Sequence, residues 1–157
     1  MARKRRFLCD NMLGSLARWL RFLGYDTLYP GAMGDTDLLK LAREDGRLLL
    51  TRDKELASRA GGLGHLVQSD VLDEQLADIR KAYGLDLTGE NLLSRCSLCN
   101  AVLVSIDRDE AGKAGVPEPI AQRHRRFWRC PGCGRLYWPG SHYERIMGKI
   151  GELDKGT

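Results

Sequence analysis

Two sets of side chains in this 157-residue chain have the types and spacing for chemistry. The first is a doubled pair of cysteines, Cys96-x-x-Cys99 and Cys130-x-x-Cys133. Each Cys-x-x-Cys turn presents two thiolates to one side, and four thiolates complete the tetrahedron that Zn²⁺ takes in structural sites. The 30 residues between the pairs exceed the spacing of compact zinc modules, and a ribbon hairpin absorbs a loop at that point. "CPGC" followed by Gly134 repeats the knuckle turn, and a single site uses all four thiols, where a redox dithiol or buried thiols would use only one pair. A small module with few aliphatic residues depends on such an ion to fold, so the expected zinc is structural. His124 and His142 are surplus to a complete tetrahedron and read as surface or packing residues. The single Cys9, inside an apolar run, reads as core.

The second set is acidic. Asp10 follows "FLC" and Asp53 follows "LLLT", so each stands at the carboxyl end of an expected strand, where ligands gather in parallel α/β sheets. Asp35 and Asp37 open the helix expected between those strands and could swing to the same rim. Carboxylates gathered on one rim repel each other and persist with cations, so Mg²⁺ or Mn²⁺ with oxygen ligands is the expected guest. Two such ions support phosphodiester hydrolysis with no Ser, Cys or His nucleophile. Spacing alone leaves a plainer reading open. Asp35 or Asp37 and Asp53 are also ordinary helix N-caps, acids in a first turn favour the helix dipole, and Asp10 itself precedes a helix.

The elements that must hold these residues alternate between strand and helix. "RRFLCD" reads as a strand ending at Asp10, and "NMLGSLARWLRFLGYD" as an amphipathic helix with Leu13, Leu16, Leu20 and Leu23 on one face and Gly24 as its stop. "DTLY" is a second strand, "DTDLLKLAREDG" a helix closed by Gly46, "RLLLT" a buried strand and "DKELASRAGG" a helix. "HLVQ" is a further strand, and "VLDEQLADIRKAYG" a helix ended by Gly84. Such alternation predicts a small doubly wound α/β domain, a parallel sheet flanked by helices, from about residue 5 to residue 83. After "DLTGEN" the texture changes to cysteine pairs, a charged Gly/Pro-containing middle and an aromatic-rich end, which predicts a zinc-ribbon module with a C-terminal helix. The expected division is 1–86 and 87–157, with the final "GELDKGT" frayed.

Hydrophobic residues make up 43% and charged residues 29% of the chain, a balance that excludes a disordered protein. No apolar run approaches the length of a membrane span, and "MARKRRFLCD" turns acidic before a signal core forms, which predicts a cytoplasmic protein with no membrane partner. The net charge of +4 is too small to argue nucleic-acid binding, so distribution decides. Arg3, Lys4, Arg5 and Arg6 form one basic segment. Residues 119–142 contain no Asp or Glu and carry Arg123, Arg125, Arg126, Arg129 and Arg135. There Arg125 and Arg126 interleave with Phe127, Trp128, Tyr137 and Trp138, the mixture that stacks bases while neutralising phosphates. Arg18, Arg21, Arg52 and Lys54 are further expected phosphate contacts near the acids. The opposing reading makes the rings a ribbon core and the cations solvated faces.

The stretches "FLCDNMLGSLARWLRFLGYDT", "DLLKLAREDGRLLLTRDKEL" and "CSLCN" with "FWRCPGCGRLYWPGSHYERI" closely resemble the PIN-like RNase family with a C-terminal zinc ribbon, named after the C-terminal region of the Mut-seven exonuclease. The likeness covers almost the whole chain in order. It implies a PIN-type fold and a metal-dependent RNase site on acids at the carboxyl edge of the sheet. Asp10 and Asp53 match the first-strand and "TRD" positions. Asp35 or Asp37 matches within "GDTDLL", with Asp37 favoured because it leads into the apolar helix. A fourth acid has no unambiguous counterpart, Asp70 and Asp73 being the candidates. The expected function is a Mg²⁺- or Mn²⁺-dependent ribonuclease whose ribbon aids RNA binding or docking. The alternatives are a catalytically silent RNA- or ribosome-binding adaptor and a protein-interaction module. A homo-oligomer is compatible with the sequence, and no pattern requires one.

Overall fold

The computed structural model describes residues 5–86 and 92–155. Arg3, Lys4, most of the expected linker "DLTGEN" and the side chain of His142 lie outside the described residues.

The first half builds the alternating pattern. Strand β1 (Phe7–Cys9) leads to α1 (Gly14–Phe22), β2 (Thr27–Leu28), α2 (Asp35–Asp45), β3 (Leu48–Thr51), α3 (Lys54–Ala60), β4 (Gly64–Leu66) and α4 (Leu72–Tyr83). All pairings are parallel, in the order β2-β1-β3-β4. The chain moves from β1 to one side, then returns to the other side of β1 with β3, which places the topological switch point between β1 and β3.

Alternation along the strands explains why "LLL" is apolar throughout. Phe7, Cys9, Leu48 and Leu50 point to one face, where Leu16 and Leu20 of α1 and Leu76 and Ile79 of α4 cover them. Leu8 and Leu49 point to the other, against Leu38 and Leu39 of α2 and Leu56 of α3. A strand buried on both faces has no polar side to show. Leu49 and Leu50 are fully buried, and truncating either to Ala costs about 2–5 kcal/mol.

The helix stops are as read from the sequence: Gly46 and Gly84 adopt the left-handed conformation after α2 and α4, and Gly24 has φ 92 just beyond α1. The fourth strand starts at Gly64, one residue before the expected "HLVQ", and Val67 still donates to the Thr51 carbonyl beyond it. A side chain at Gly64 would collide with the Ala57 carbonyl oxygen, which its Cβ would approach to 2.3 Å, so glycine lets α3 lie close to the strand.

The second half is a three-stranded antiparallel sheet, β5 (Val104–Ile106), β6 (Phe127–Arg129) and β7 (Leu136–Tyr137), in the order β5-β6-β7. The insertion between the cysteine pairs is not only loop. It carries α5 (Arg108–Lys113) and α6 (Glu118–Arg123), which close a small core of Ala111, Val116 and Ala121 on Phe127.

The final helix, α7 (Ser141–Lys155), corrects the expectation of a frayed "GELDKGT" by continuing to Lys155. Ile146, Ile150 and Leu153, spaced along one helix face, join the same apolar cluster as the parallel sheet, and Arg80 of α4 donates to the Leu153 carbonyl at 2.9 Å. Leu93, Leu103, Cys96, Cys130 and Tyr137 belong to that cluster too, so one core runs from the sheet into the ribbon. Among the described residues no helix is long and apolar enough to cross a membrane.

Candidate carboxylate site and cysteine centre

Parallel pairing of Cys9 with Leu50 sets Asp10 beside Thr51 at the carboxyl end of β1 and β3, at the switch point. Asp10 is only 5% exposed. One carboxylate oxygen accepts from the Met12 backbone N–H at 3.0 Å, and the other accepts from the Thr51 hydroxyl. The same Thr51 hydroxyl accepts from the Asp53 backbone N–H at 3.0 Å, so one side chain ties both acids together.

Asp53 caps α3: its Oδ1 accepts from the Glu55 and Leu56 amides at 2.9 and 3.2 Å. Capping engages one oxygen and leaves Oδ2 without a partner among the described residues, so the two readings of Asp53 are compatible. Asp10 does not cap α1, whose N-cap is Leu13. Asp35 and Asp37 lie exposed in the first turn of α2, but the cap there is Gly34, with no side-chain bond. The plain capping reading therefore fails for these two, which keep only the dipole contribution.

Among the described residues, none of Asp10, Asp35, Asp37 and Asp53 forms an ion pair with Lys or Arg. A buried carboxylate without a cationic neighbour is unfavourable, and a hard divalent cation with oxygen ligands is one form of compensation beyond the hydrogen bonds it already accepts. The donor set suits one: all oxygens, with lone pairs remaining on Asp10 and a free Asp53 Oδ2. The acids do not gather into a tight cage. Among the described residues, the only three or more potential metal ligands whose donor atoms all fall within 4.8 Å are the cysteines. Mg²⁺ tolerates that dispersion, since it binds through one or two carboxylates, water and substrate phosphate. Of the candidate fourth acids, Asp70 is exposed and Asp73 is paired with Lys149 of α7.

The expected phosphate contacts divide. Arg52 is half-buried beside Asp53, its Nη2 donating to the Gln68 carbonyl at 3.3 Å while its buried Nε has no acceptor. Lys54 begins α3 and is exposed, as are Arg18, Arg125 and Arg126; Arg126 lies over the half-buried Trp128 ring at 4.9 Å. Arg21 overturns both readings given to it, phosphate contact and solvated face. It is 5% exposed and donates to the carbonyls of Thr27, Ser97 and Leu98. Arg6, from the basic N-terminal segment, is committed to Asp26 and Asp45.

The four thiols converge as the spacing predicts. Their sulfurs lie within 4.8 Å of one another, with Cys96 and Cys133 at 3.6 Å and Cys99 and Cys130 at 3.3 Å. A zinc–sulfur bond of about 2.3 Å implies tetrahedral edges of about 3.8 Å, so the cluster has the size of a zinc site. Burial opposes ionisation of Cys96, yet the Tyr137 hydroxyl and the Cys99 and Leu98 amides outweigh it and bring the thiol down to about 6. The Ala101 amide favours the Cys99 thiolate, but Cys130, burial and the negative Cys96 together push it up to about 12. One thiolate forms readily and then resists the others, the electrostatics a dication relieves. No His joins the cluster among the described residues, and Cys9 is fully buried with its thiol pushed up by that burial.

The first cysteine turn is wired into the parallel sheet by residues that sequence reading missed. Asn100, at φ 72 directly after Cys99, accepts from the Thr27 amide at 3.0 Å and donates to Asp26 at 2.7 Å. Asn tolerates that left-handed conformation better than most residues, which was the available signal. Thr51 was also visible, as a polar residue ending a leucine run, but its double hydrogen bond depends on register. A cavity of about 960 Å³ opens far from Asp10 and Asp53, at the amino end of the strands, and mixes Arg5, Arg6 and Arg43 with Glu44, Asp45 and Asp86.

An α/β sheet with acids at its carboxyl edge, joined to a four-thiol cluster compatible with a zinc ribbon, defines the class of protein. The chain belongs to the Mut7-C RNase domain family, which it matches over residues 5–150. A curated human relative, "Exonuclease mut-7 homolog", is 34% identical over 223 aligned residues, covering 92% of this chain and 25% of that protein. The chain thus spans about a quarter of the length of that relative. No solved structure matches it.

Proposed function

We propose that the chain is a ribonuclease with a PIN-like catalytic sheet, dependent on Mg²⁺ or Mn²⁺, and that its ribbon, from about residue 87 onward, holds a structural zinc and aids RNA binding. The single observation that carries this reading is the buried Asp10, tied through Thr51 to Asp53 and lacking any cationic side-chain partner among the described residues. Family membership and the relative named as an exonuclease agree with it. A zinc–thiolate cluster suits the reducing cytoplasm.

When bound at this rim, the divalent ion would supply an acidified water and charge stabilisation for a scissile phosphate. Asp10 and Asp53 would hold it, with the exposed Asp37, or Asp35, completing the set from α2. Thr51 is a positioning residue: its hydroxyl fixes the Asp10 carboxylate and the turn that presents Asp53. Arg52 and Lys54 stand where they neutralise phosphate charge, and Arg125, Arg126 and Trp128 offer cations and a ring to RNA on the ribbon.

The test is cleavage of labelled single-stranded RNA with Mn²⁺. Asp10→Asn and Asp53→Asn should each lower the rate about 100- to 1,000-fold, the scale expected for losing a main electrostatic group, with unchanged circular dichroism. Undiminished cleavage by both variants rejects the assignment. RNA binding without any metal-dependent product favours the adaptor reading instead.

A further inference from the structure

A second cavity, about 320 Å³, lies between α1 and the first cysteine turn. None of its eight lining residues is acidic. Arg18 and Arg135 form its cationic rim, and Trp19, Phe22 and Leu98 its apolar floor. Both guanidinium groups are exposed, and among the described residues neither is in an ion pair. Leu98, beside the cysteine cluster, is 52% exposed and offers apolar surface to the groove. The acid nearest in chain terms, Asp73, is already paired with Lys149, whose ammonium sits 5.3 Å from the Trp19 ring centre.

Topology connects this groove to the carboxylate rim. Ser15, at its upper end, lies in the first turn of the helix that follows Asp10, and Leu72 opens the helix that follows β4. In a parallel sheet both helix starts stand at the carboxyl edge. From Ser15 to Phe22 the groove runs about 10 Å along α1, away from the rim. Arg21, buried beneath, holds the Ser97 and Leu98 carbonyls at 2.9 and 3.2 Å and so fixes the opposite wall to α1.

We propose that this groove is a subsite for single-stranded RNA leading to or from the carboxylate rim, an inference that rests on the ribonuclease reading above. Guanidinium groups of Arg18 and Arg135 take backbone phosphates, and a base lies against Leu98 and the exposed part of Trp19. Charge selects the occupant: unpaired cations around an apolar floor match a phosphate-linked base, and the volume is that of a small-ligand pocket. The first cysteine turn is then a wall of the RNA path in addition to a metal ligand pair.

The experiment measures anisotropy of a fluorescein-labelled decauridylate in Ca²⁺ across a salt series, with the zinc-loaded full chain. The Arg18→Ala/Arg135→Ala variant should bind about tenfold more weakly or worse, with a plot of log affinity against log salt flatter by about 1.4 for two lost phosphate contacts. Leu98→Asp should lose binding comparably at unchanged zinc content and melting temperature. Arg43→Ala, at the other end of the sheet, should bind as the unmodified chain does. If the unmodified chain binds and the groove variants match it in affinity and slope, the groove is rejected while the ribonuclease reading stands. An equal loss with Arg43→Ala also rejects the groove, as diffuse charge. If the unmodified chain binds no RNA, both readings fall.

Discussion

At the amino end of the parallel strands, Asp26 and Asp45 meet Arg6, Arg47 and Arg95; at the carboxyl end, Asp10 and Asp53 meet a hydroxyl and backbone amides. Arg47 is 5% exposed and bridges Asp26 at 2.8 Å and Asp45 at 2.6 Å. Burial opposes the Asp26 charge, but hydrogen bonds from Arg47 and Asn100 and the charge of Arg95 hold its carboxyl down at about 2. Charges compensated in this way hold the sheet, β2 and the first cysteine turn together. The carboxyl end keeps its acids short of positive charge, and that deficit is what a divalent cation and a phosphate chain can use.

Four perturbations sharpen this contrast, in falling order of effect. Stripping the proposed zinc from the cysteines with a strong chelator should remove a binding free energy on the scale of about 10 kcal/mol. Because Asn100 and Arg21 join that turn to β2 and α1, the parallel sheet should melt with the ribbon in one lowered transition by calorimetry. Two independent transitions would break the link between ribbon and amino end.

Arg47→Ala removes the buried cation that bridges Asp26 and Asp45 and leaves them only Arg6 and Arg95, so it should cost about 2–3 kcal/mol in urea unfolding, less than stranding an isolated buried charge, while the folded fraction keeps its cleavage rate. A loss of catalysis at full stability would invert the proposed division of labour. The third perturbation is acid. The Asp26 carboxyl lies lower in the folded chain than its usual 3.8, so its contribution is full above about pH 4 and is lost as pH falls through 2. Discounted for partial exposure, that is about 1–2 kcal/mol, and Asp26→Asn should flatten the stability profile over this window.

The smallest effect has the opposite sign. Asp10→Asn removes a buried charge that no cation balances, so without divalent ions it should leave the chain as stable or about 1 kcal/mol more stable by thermal melting. Added Mn²⁺ should stabilise the unsubstituted chain and not this variant. A marked destabilisation would show Asp10 to be structural, like Asp26.

Much of this was legible from residue types and periods. The leucine-rich strand, the glycine helix stops, the placement of Asp10 and Asp53 at strand ends and the two cysteine pairs follow from local rules: apolar period, left-handed glycines and ligand spacing. The "DKEL" start of α3 even announced its own cap. Residues whose role depends on distant partners were misread or missed. Arg21 sits on an amphipathic helix, and only the docking of Ser97 and Leu98, 76 and 77 positions away, turns it inward. Asn100 and Asp26 meet across 74 positions for the same reason.

The sequence by itself determined the order of strands and helices, the two Cys-x-x-Cys turns and which acids end which strands, because these depend on neighbours within a few residues. Only the tertiary structure decided that β1 and β3 are adjacent at the switch point, that Thr51 joins Asp10 to Asp53, and that Arg47 and not a metal compensates Asp26. Pairing of charges and register of strands are set by contacts between segments remote in the chain. The same carboxylate side chain therefore becomes a structural anchor at one end of the sheet and a candidate ligand at the other.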